Sequence, residues 1–187
     1  MEKTMFETPR LIIRPYKHSD AKAVHSVMNN YNIFKTTYGI PYPCDIPYVK
    51  KWIKFVIENL SNRKSFEYAV IEKSSGKYIG NVGLINVDTN SKRCDISYFI
   101  DYNMWNNGYA TEASMKIVEF AFLGLNMYRV GGMCMAVNGS SARVMEKLGM
   151  KHEGTFRKFF YKENSWVDAK NYSILNEEFE KLCNTKL

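Results

Sequence analysis

Metal centres and disulfide frameworks need clustered cysteine and histidine, and this chain has little of either. Cys44, Cys94, Cys134 and Cys183 form no Cys-x-x-Cys pair, and His18, His25 and His152 do not gather around them. A metal site and a disulfide scaffold are therefore not expected, and the thiols read as free and mostly buried. Long apolar runs are also missing. The longest uncharged one, Phe120 to Tyr128, is far too short to span a bilayer, and the N-terminus has no basic-then-apolar leader, so no membrane partner and a cytoplasmic protein are expected. No segment is rich enough in Pro or Ser to be a linker and no repeat is visible, so residues 1–187 read as a single domain. The chain lacks Gly-x-Gly-x-x-Gly and the Gly-Lys-Ser/Thr ending of a P-loop, which removes both nucleotide-binding readings. Its formal net charge is +7, yet no basic block with interleaved aromatics marks a nucleic-acid groove. The charge asks for an anionic partner and leaves open whether that is nucleic acid, a ribosomal surface or the phosphates of a cofactor.

What the chain does contain is organised around Met104-Trp-Asn-Asn-Gly-Tyr-Ala-Thr-Glu-Ala113. Upstream, Asp95-Ile-Ser-Tyr-Phe-Ile100 is aromatic and β-branched, as a strand buried on both faces would be. Downstream, Ala110, Ala113, Ile117 and Ala121 recur at helical spacing with Glu112, Lys116 and Glu119 on the other side, and Gly124 supplies a left-handed C-terminus. A strand that enters a helix through a glycine turn leaves first-turn N–H groups without intrahelical partners, which makes an anion site. Gly108 allows close backbone approach and Ala110 keeps side-chain bulk away. On spacing alone the same residues also suit a plain turn.

Trp105-Asn-Asn-Gly-Tyr-Ala-Thr-Glu-Ala113 resembles the acetyl-CoA pyrophosphate loop of the GNAT superfamily of N-acetyltransferases. The likeness is closest to the Rim-type ribosomal-protein N-terminal acetyltransferases, which carry Trp-Gly-Lys-Gly-Tyr-Ala-Thr-Glu-Ala there. Asn106 stands where that branch has glycine. A second block, Asn138-Gly-Ser-Ser-Ala-Arg-Val-Met-Glu-Lys-Leu-Gly-Met150, resembles the branch's Asn-x-x-Ser-x-x-Val-x-Glu-Lys-Leu-Gly-Phe. Read singly, Asn138 and Ser141 are a turn residue and a helix cap, and Gly149 a helix stop. Glu7-Thr-Pro-Arg-Leu-Ile-Ile-Arg14 is similar to the branch's opening strand.

Patterning over the rest of the chain predicts a first strand at Arg10 to Pro15 and a helix capped by Ser19 and running through Ala23, Val24 and Val27. A second helix spans about Pro47 to Leu60. A hairpin joins Phe66–Glu72 to Tyr78–Ile85 with Gly76 in its turn, and Asp95–Ile100 extends the meander. Then come a strand at Tyr128–Val137, a helix at Ser141–Leu148, and strands at Thr155–Tyr161 and Val167–Leu175. The class is α+β. A strand-helix-strand crossover makes the Asp95 and Tyr128 strands parallel. The resemblance implies a GNAT fold: a mixed, mostly antiparallel twisted sheet with helices on both faces, and those two strands splayed around the pantetheine arm. It also implies that Tyr38-Gly-Ile-Pro-Tyr-Pro43 helps wall the acceptor site, although Tyr42 and its neighbours read equally well as core cover.

The activity implied is transfer of acetyl from acetyl-CoA to a primary amine, most directly a protein or peptide N-terminus. A small-amine acetyltransferase (polyamine, aminoglycoside or amino acid) and a non-catalytic acyl-CoA-binding module stay open, as does a homodimer. Cofactor contacts fall to Trp105, Asn106, Asn107, Gly108, Tyr109, Ala110 and Thr111 around the phosphates, with Asn138 on the pantetheine arm and Ser141 near the sulfur. Two residues are candidates for the chemistry. Ser141 would donate to the departing thiolate, the only alternative read from the residues being an N-cap. Asp95 lies near where many relatives place a carboxylate that deprotonates the amine, against the plainer reading of a solvated strand-end charge.

Overall fold

In the computed structural model, which describes residues 5–184, eight strands are β1 (Phe6–Glu7), β2 (Leu11–Arg14), β3 (Phe66–Glu72), β4 (Tyr78–Asp88), β5 (Arg93–Ile100), β6 (Arg129–Met135), β7 (Lys151–Lys162) and β8 (Ser165–Leu175). Six helices accompany them: α1 (Ala21–Met28), α2 (Tyr31–Thr36), α3 (Ile46–Ser61), α4 (Tyr109–Glu119), α5 (Gly139–Lys147) and α6 (Asn176–Asn184). The strands form one sheet in the order β1-β2-β3-β4-β5-β6-β8-β7, and every neighbouring pair is antiparallel except β5–β6. This is the mixed GNAT fold that the resemblance implies.

Alternation along the strands divides the apolar residues between two cores, one on each face. Phe66, Tyr68 and Val70 of β3 join Ile117 and Val118 of α4 and Met145 of α5. Ala69 and Ile71 face the other way, onto Val24 of α1 and Val49, Ile53 and Val56 of α3. The spacing of those three α3 residues is what turns one stripe of the helix to the sheet, and Asp45 starts it by accepting a 2.7 Å bond from the Tyr48 N–H.

Four local expectations are corrected. The strand at Asp95 is not buried on both faces. Cys94, Ile96 and Ile100 are buried, while Asp95, Ser97 and Phe99 are partly open, because their face borders a cleft rather than a packed helix. Ser19 does not cap α1. It sits inside a 3-10 turn, His18–Asp20, whose Asp20 carboxylate accepts from the Lys17 N–H at 2.8 Å, and Ala23 is exposed. Gly124 is not the left-handed residue after α4: the helix passes into a π turn, Phe120–Gly124, and Asn126 takes φ +54°. Gly124 is needed for a different reason, since a Cβ there would lie 2.5 Å from the Phe120 ring. Patterning also missed α2, the shortest of the six helices, and α6 at the C-terminal end of the sheet. Among the described residues, no helix is long and apolar enough to cross a membrane.

Candidate active site

The turn from β5 into α4 is built by its own side chains. Trp105 Nε1 donates to the Ile100 carbonyl at 2.7 Å and its ring meets Tyr102 edge-on at 5.1 Å. Asn107 Nδ2 donates to the Met104 and Trp105 carbonyls at 3.2 and 3.0 Å, while its own carbonyl accepts from Arg10 Nη1 at 2.9 Å. Tyr109 donates to Glu72, with the Arg10 guanidinium 4.4 Å above its ring. These three side chains are therefore committed to protein, and what the turn presents is backbone. Asn106 and Gly108 both take left-handed φ, +62° and +79°. Asparagine tolerates that region better than most residues, so the absence of glycine at 106 is accommodated. Gly108 is the N-cap residue of α4 and, having no side chain, offers no capping bond, which leaves first-turn N–H groups open for a ligand. That cradle fits a pyrophosphate. Trp105, Asn106, Gly108, Tyr109, Ala110 and Thr111 border the adjoining cleft of about 820 Å³, and Asn107 does not.

The cleft runs on through a fork in the sheet. β5 and β6 pair only at Arg93↔Arg129, Cys94↔Val130 and Asp95↔Gly131, then separate. Asp95 stands at the point of separation. Its Oδ2 accepts from Asn86 Nδ2 at 2.9 Å, and a Cβ at Gly131 would lie 2.4 Å from its Oδ1. Across the gap, α5 begins at Asn138, whose Oδ1 accepts from the Ser141 N–H at 3.1 Å and whose Nδ2 donates to the Thr36 carbonyl at 3.0 Å. Asn138, not Ser141, is thus the cap, and it also ties α5 to the end of α2. The Ser141 hydroxyl is not used in capping, and it lies 2.8 Å from the Tyr98 hydroxyl. Tyr98 in turn donates to the Ser141 carbonyl at 3.0 Å. Burial raises the Tyr98 phenol above its ordinary range, so it stays protonated; either hydroxyl can be the donor between the two, and when Tyr98 donates, the Ser141 proton is left for a ligand. Tyr98 carries no sequence signal for this contact, because it lies 43 residues before Ser141 on another element. Only the strand register shows that β5 delivers it.

Beyond the fork the cleft widens between Tyr48 and Trp52 of α3, Phe99 of β5, and Tyr38 and Phe160. Tyr38, Gly39 and Ile40 of the expected acceptor wall do line it, whereas Tyr42 is 47% exposed and stacks outward on Tyr31 and Phe34. The hairpin β7–β8 closes the roof: Lys162 Nζ donates to the Thr37 carbonyl at 2.6 Å and sits 3.8 Å over the Phe34 ring, and Phe160 packs on Tyr38 at 4.6 Å. The floor holds a carboxylate that sequence reading passed over. Glu67, 7% exposed, accepts from Asn81 Nδ2 at 3.2 Å; Asn81 Oδ1 accepts from Tyr16, whose hydroxyl is 3.1 Å from that of Tyr78. The available signal was a lone carboxylate inside the otherwise apolar run Phe66 to Ile71.

Comparison with known proteins gives the same picture. The profile of the acetyltransferase (GNAT) domain family matches residues 10–151. An uncharacterized N-acetyltransferase of Bacillus subtilis, YnaD, is 30% identical over 172 residues, covering 92% of this chain and 97% of its own. The crystal structure of the ribosomal-protein-S5-alanine acetyltransferase from Vibrio fischeri superposes with a TM-score of 0.84 at 22% identity, over 94% of this chain and 98% of that one. The spermidine N-acetyltransferase from Vibrio cholerae, solved with CoA and spermine, gives 0.80 at 18% identity, over 92% and 99%.

Proposed function

We propose that this chain, which belongs to the GNAT acetyltransferase family and is an acetyl-CoA-dependent N-acetyltransferase, acts through residues 1–187 as one domain on the N-terminal amine of a protein or peptide. The observation that carries the acceptor class is the mouth of the cleft. Its aromatic wall of Tyr38 and Phe160 continues onto the outer face of β7–β8, where Phe159, Tyr161 and Trp166 are each more than half exposed. Such a strip offers contact area to residues beyond the reacting amine, which a polypeptide has and a small amine lacks. The net charge of +7 also disfavours a polycation in the encounter. Free thiols suit the cytoplasm, where we place the protein.

In this reading the α4 N-terminus and the backbone of Asn106 to Ala110 receive the pyrophosphate, with Thr111 beside it. Asn138 holds the start of α5 against Thr36, at the edge of the pantetheine channel. Acetyl-CoA, when bound, supplies a thioester carbon for the amine to attack and a sulfur that leaves as thiolate. Ser141, backed by Tyr98, is placed to give that sulfur a hydrogen bond or a proton, aided by the positive end of α5. The amine must reach the reaction without its extra proton, because an ammonium has no lone pair.

The test is thiol release from acetyl-CoA against hexapeptides of varied N-terminal residue and a set of small primary amines. We expect kcat/KM for the best peptide to exceed that of the matching amino-acid amide by about tenfold or more. Equal or better turnover of a small amine would favour the second reading, for which the likeness to the Vibrio cholerae enzyme speaks. Tight acetyl-CoA binding with no thiol release for any amine would leave a non-catalytic module.

A further inference from the structure

Within the acetyltransferase reading, two carboxylates border the cleft, and their surroundings differ. Asp95 has an amide donor in Asn86, and the Arg129 cation lies close enough that the two charges stabilise one another. Its anion therefore has both a hydrogen-bond donor and a nearby cation. Glu67 is buried on β3 with one oxygen on Asn81 and, among the described residues, no hydrogen bond to the other and no cation paired with it.

The fold makes room for this group. Glu67 lies opposite Gly83 in the β3–β4 register, and a Cβ at Gly83 would come within 2.6 Å of the Glu67 Cα and 2.7 Å of its Cγ. The side chain is held flat against that glycine and directed to Asn81, whose carbonyl end is fixed by Tyr16 and, through it, Tyr78. Trp52, Phe99 and Tyr48 stand around the same space, and aromatic faces attract an ammonium ion. A buried carboxylate without a counter-ion destabilises a fold, and a leucine or glutamine would fill this place at less cost. The missing counter-ion is one that a substrate can bring.

We propose that Glu67 receives the acceptor's ammonium group and takes its proton, in place of Asp95, with Asn81, Tyr16 and Tyr78 as positioning residues. One proton passes from nitrogen to the free oxygen of Glu67, and the nitrogen lone pair forms the new C–N bond at the acetyl carbon. The C–S bond breaks with its electron pair going to sulfur, and the second nitrogen proton reaches that sulfur by way of the Ser141 hydroxyl. Glu67 returns its proton to solvent, so the sum is amide, thiol and one released proton. Burial pushes the Glu67 carboxyl above its ordinary value of 4.5. The ionisable groups around it are Tyr16 after β2, Tyr78 on β4, Tyr48 on α3 and Asp95 on β5, none of them a cation, while Arg14 is paired with Asp20. Such a base is active in its anionic form, so kcat/KM rises with pH through its pKa.

The experiment measures kcat/KM for thiol release as a function of pH with the best acceptor of the peptide and amine panel, together with Tm and the acetyl-CoA Kd. The proteins are wild type, Glu67→Gln, Glu67→Asp and Asp95→Asn. Glu67→Gln is expected to lose roughly 100-fold or more in kcat/KM and to lose the acidic limb, with Kd within about twofold of wild type. Because the folded state raises this pKa, folding favours the protonated acid, and the group's stability contribution is lost as pH rises through the folded value. Glu67→Gln should therefore match wild type in Tm near pH 4.5 and exceed it increasingly above. Glu67→Asp should keep an acidic limb at a shifted pKa, and Asp95→Asn should keep it whatever its rate. A Glu67→Gln rate within about threefold of wild type with the limb intact would overturn the assignment. So would loss of the limb in Asp95→Asn alone, or a lower Tm for Glu67→Gln at every pH. If Glu67→Gln does not fold, an unshifted limb in Glu67→Asp decides against the proposal. A wild type that binds acetyl-CoA and acetylates nothing fails the acceptor reading instead, a separate outcome.

Discussion

Gly108 combines a left-handed φ of +79° with the absence of any capping side chain, so a larger residue there acts on conformation and on the anion site together. Glu at this position pays the strain of a non-glycine αL residue, about 1 kcal/mol or somewhat more, and places a negative charge where phosphate is expected. Gly108→Glu should raise the acetyl-CoA Kd by about tenfold or more in calorimetric titration and lower Tm by a few degrees. Unchanged Kd would move the pyrophosphate elsewhere. At Ser141 the structure separates two effects that the sequence left joined. Since Asn138 is the cap, removing the Ser141 hydroxyl should barely alter Tm, whereas kcat should fall roughly ten- to a hundredfold with Kd nearly kept. Tyr98→Phe, which removes the hydroxyl behind Ser141, should lower kcat in the same direction by a smaller factor. A normal kcat in Ser141→Ala, with chemistry shown to be rate-limiting, would remove Ser141 from the mechanism.

Among the elements, the β7–β8 hairpin has two separable attachments. At its tip Lys162 bonds Thr37 and covers Phe34, and Tyr31 donates to Glu163 at 2.7 Å, so the hairpin holds the α2 region as the roof of the wider half of the cleft, where we propose the acceptor binds. Lys162→Met keeps the apolar stem and loses the ammonium. The expected result is a several-fold rise in the acceptor KM with acetyl-CoA Kd unaltered, and an equal rise in both would contradict the division of the cleft into two halves. At its base the hairpin is stitched to β6. Glu153 on β7 pairs with Arg129 on β6 and accepts from Ser173 and Asn171 on β8 at 2.6 and 3.0 Å. The Arg129 guanidinium is the main reason that the Glu153 carboxyl is held down at about 2, from an ordinary 4.5. A depressed pKa contributes stability above the unfolded value that is lost as pH falls toward the folded one, so the loss should fall between about pH 4.5 and 2. Glu153 is partly in solvent, which screens the pair and keeps the effect modest. Glu153→Gln should lower Tm modestly near neutrality and flatten the Tm-against-pH curve between about pH 4.5 and 2, so that it meets wild type at the acid end.

At the scale of the molecule, the sheet is covered on both faces and divides its helices between them: α4, α5 and α6 on one core, α1, α2 and α3 on the other. The cleft lies where the sheet can no longer stay continuous, because Asp95, Gly131 and Gly132 bring two strands together and then let them part. A Cβ at Gly132 would meet Met145 and Ile96 at 3.0 and 3.1 Å, so the close packing of α5 on the fork depends on glycine. The same layered burial governs the thiols. Cys44, Cys94 and Cys134 are buried and Cys183 is exposed, and burial pushes the Cys94 thiol up to about 12. In the native protein a small aromatic disulfide reagent should titrate one thiol rapidly, and all four after unfolding. Fast reaction of two or more would mean that the cores open readily.

Periodicity was enough for most of the elements, because a period of two or 3.6 is written into the order of apolar residues wherever one face is buried. The hairpin around Gly76 and the long helix α3 were legible for that reason, as was the parallel β5–α4–β6 crossover, which two adjacent strands of one sheet joined by a helix require. The loop at Gly108 was legible from composition, since a left-handed helix start leaves glycine few substitutes. Short helices such as α2 carry too few turns for a period to show. The pairings that make the site are of another kind. Nothing along the chain ties Tyr98 to Ser141, Lys162 to Thr37, or Glu67 to Asn81 and Tyr16, because each joins residues from different elements whose meeting depends on strand register and helix docking. Sequence alone therefore determined the family, the layered fold and the glycine turn into α4. Only the tertiary structure decided which carboxylate is buried without a cation and which hydroxyl stands beside Ser141, for burial and hydrogen bonding are properties of what the folded chain brings alongside a residue.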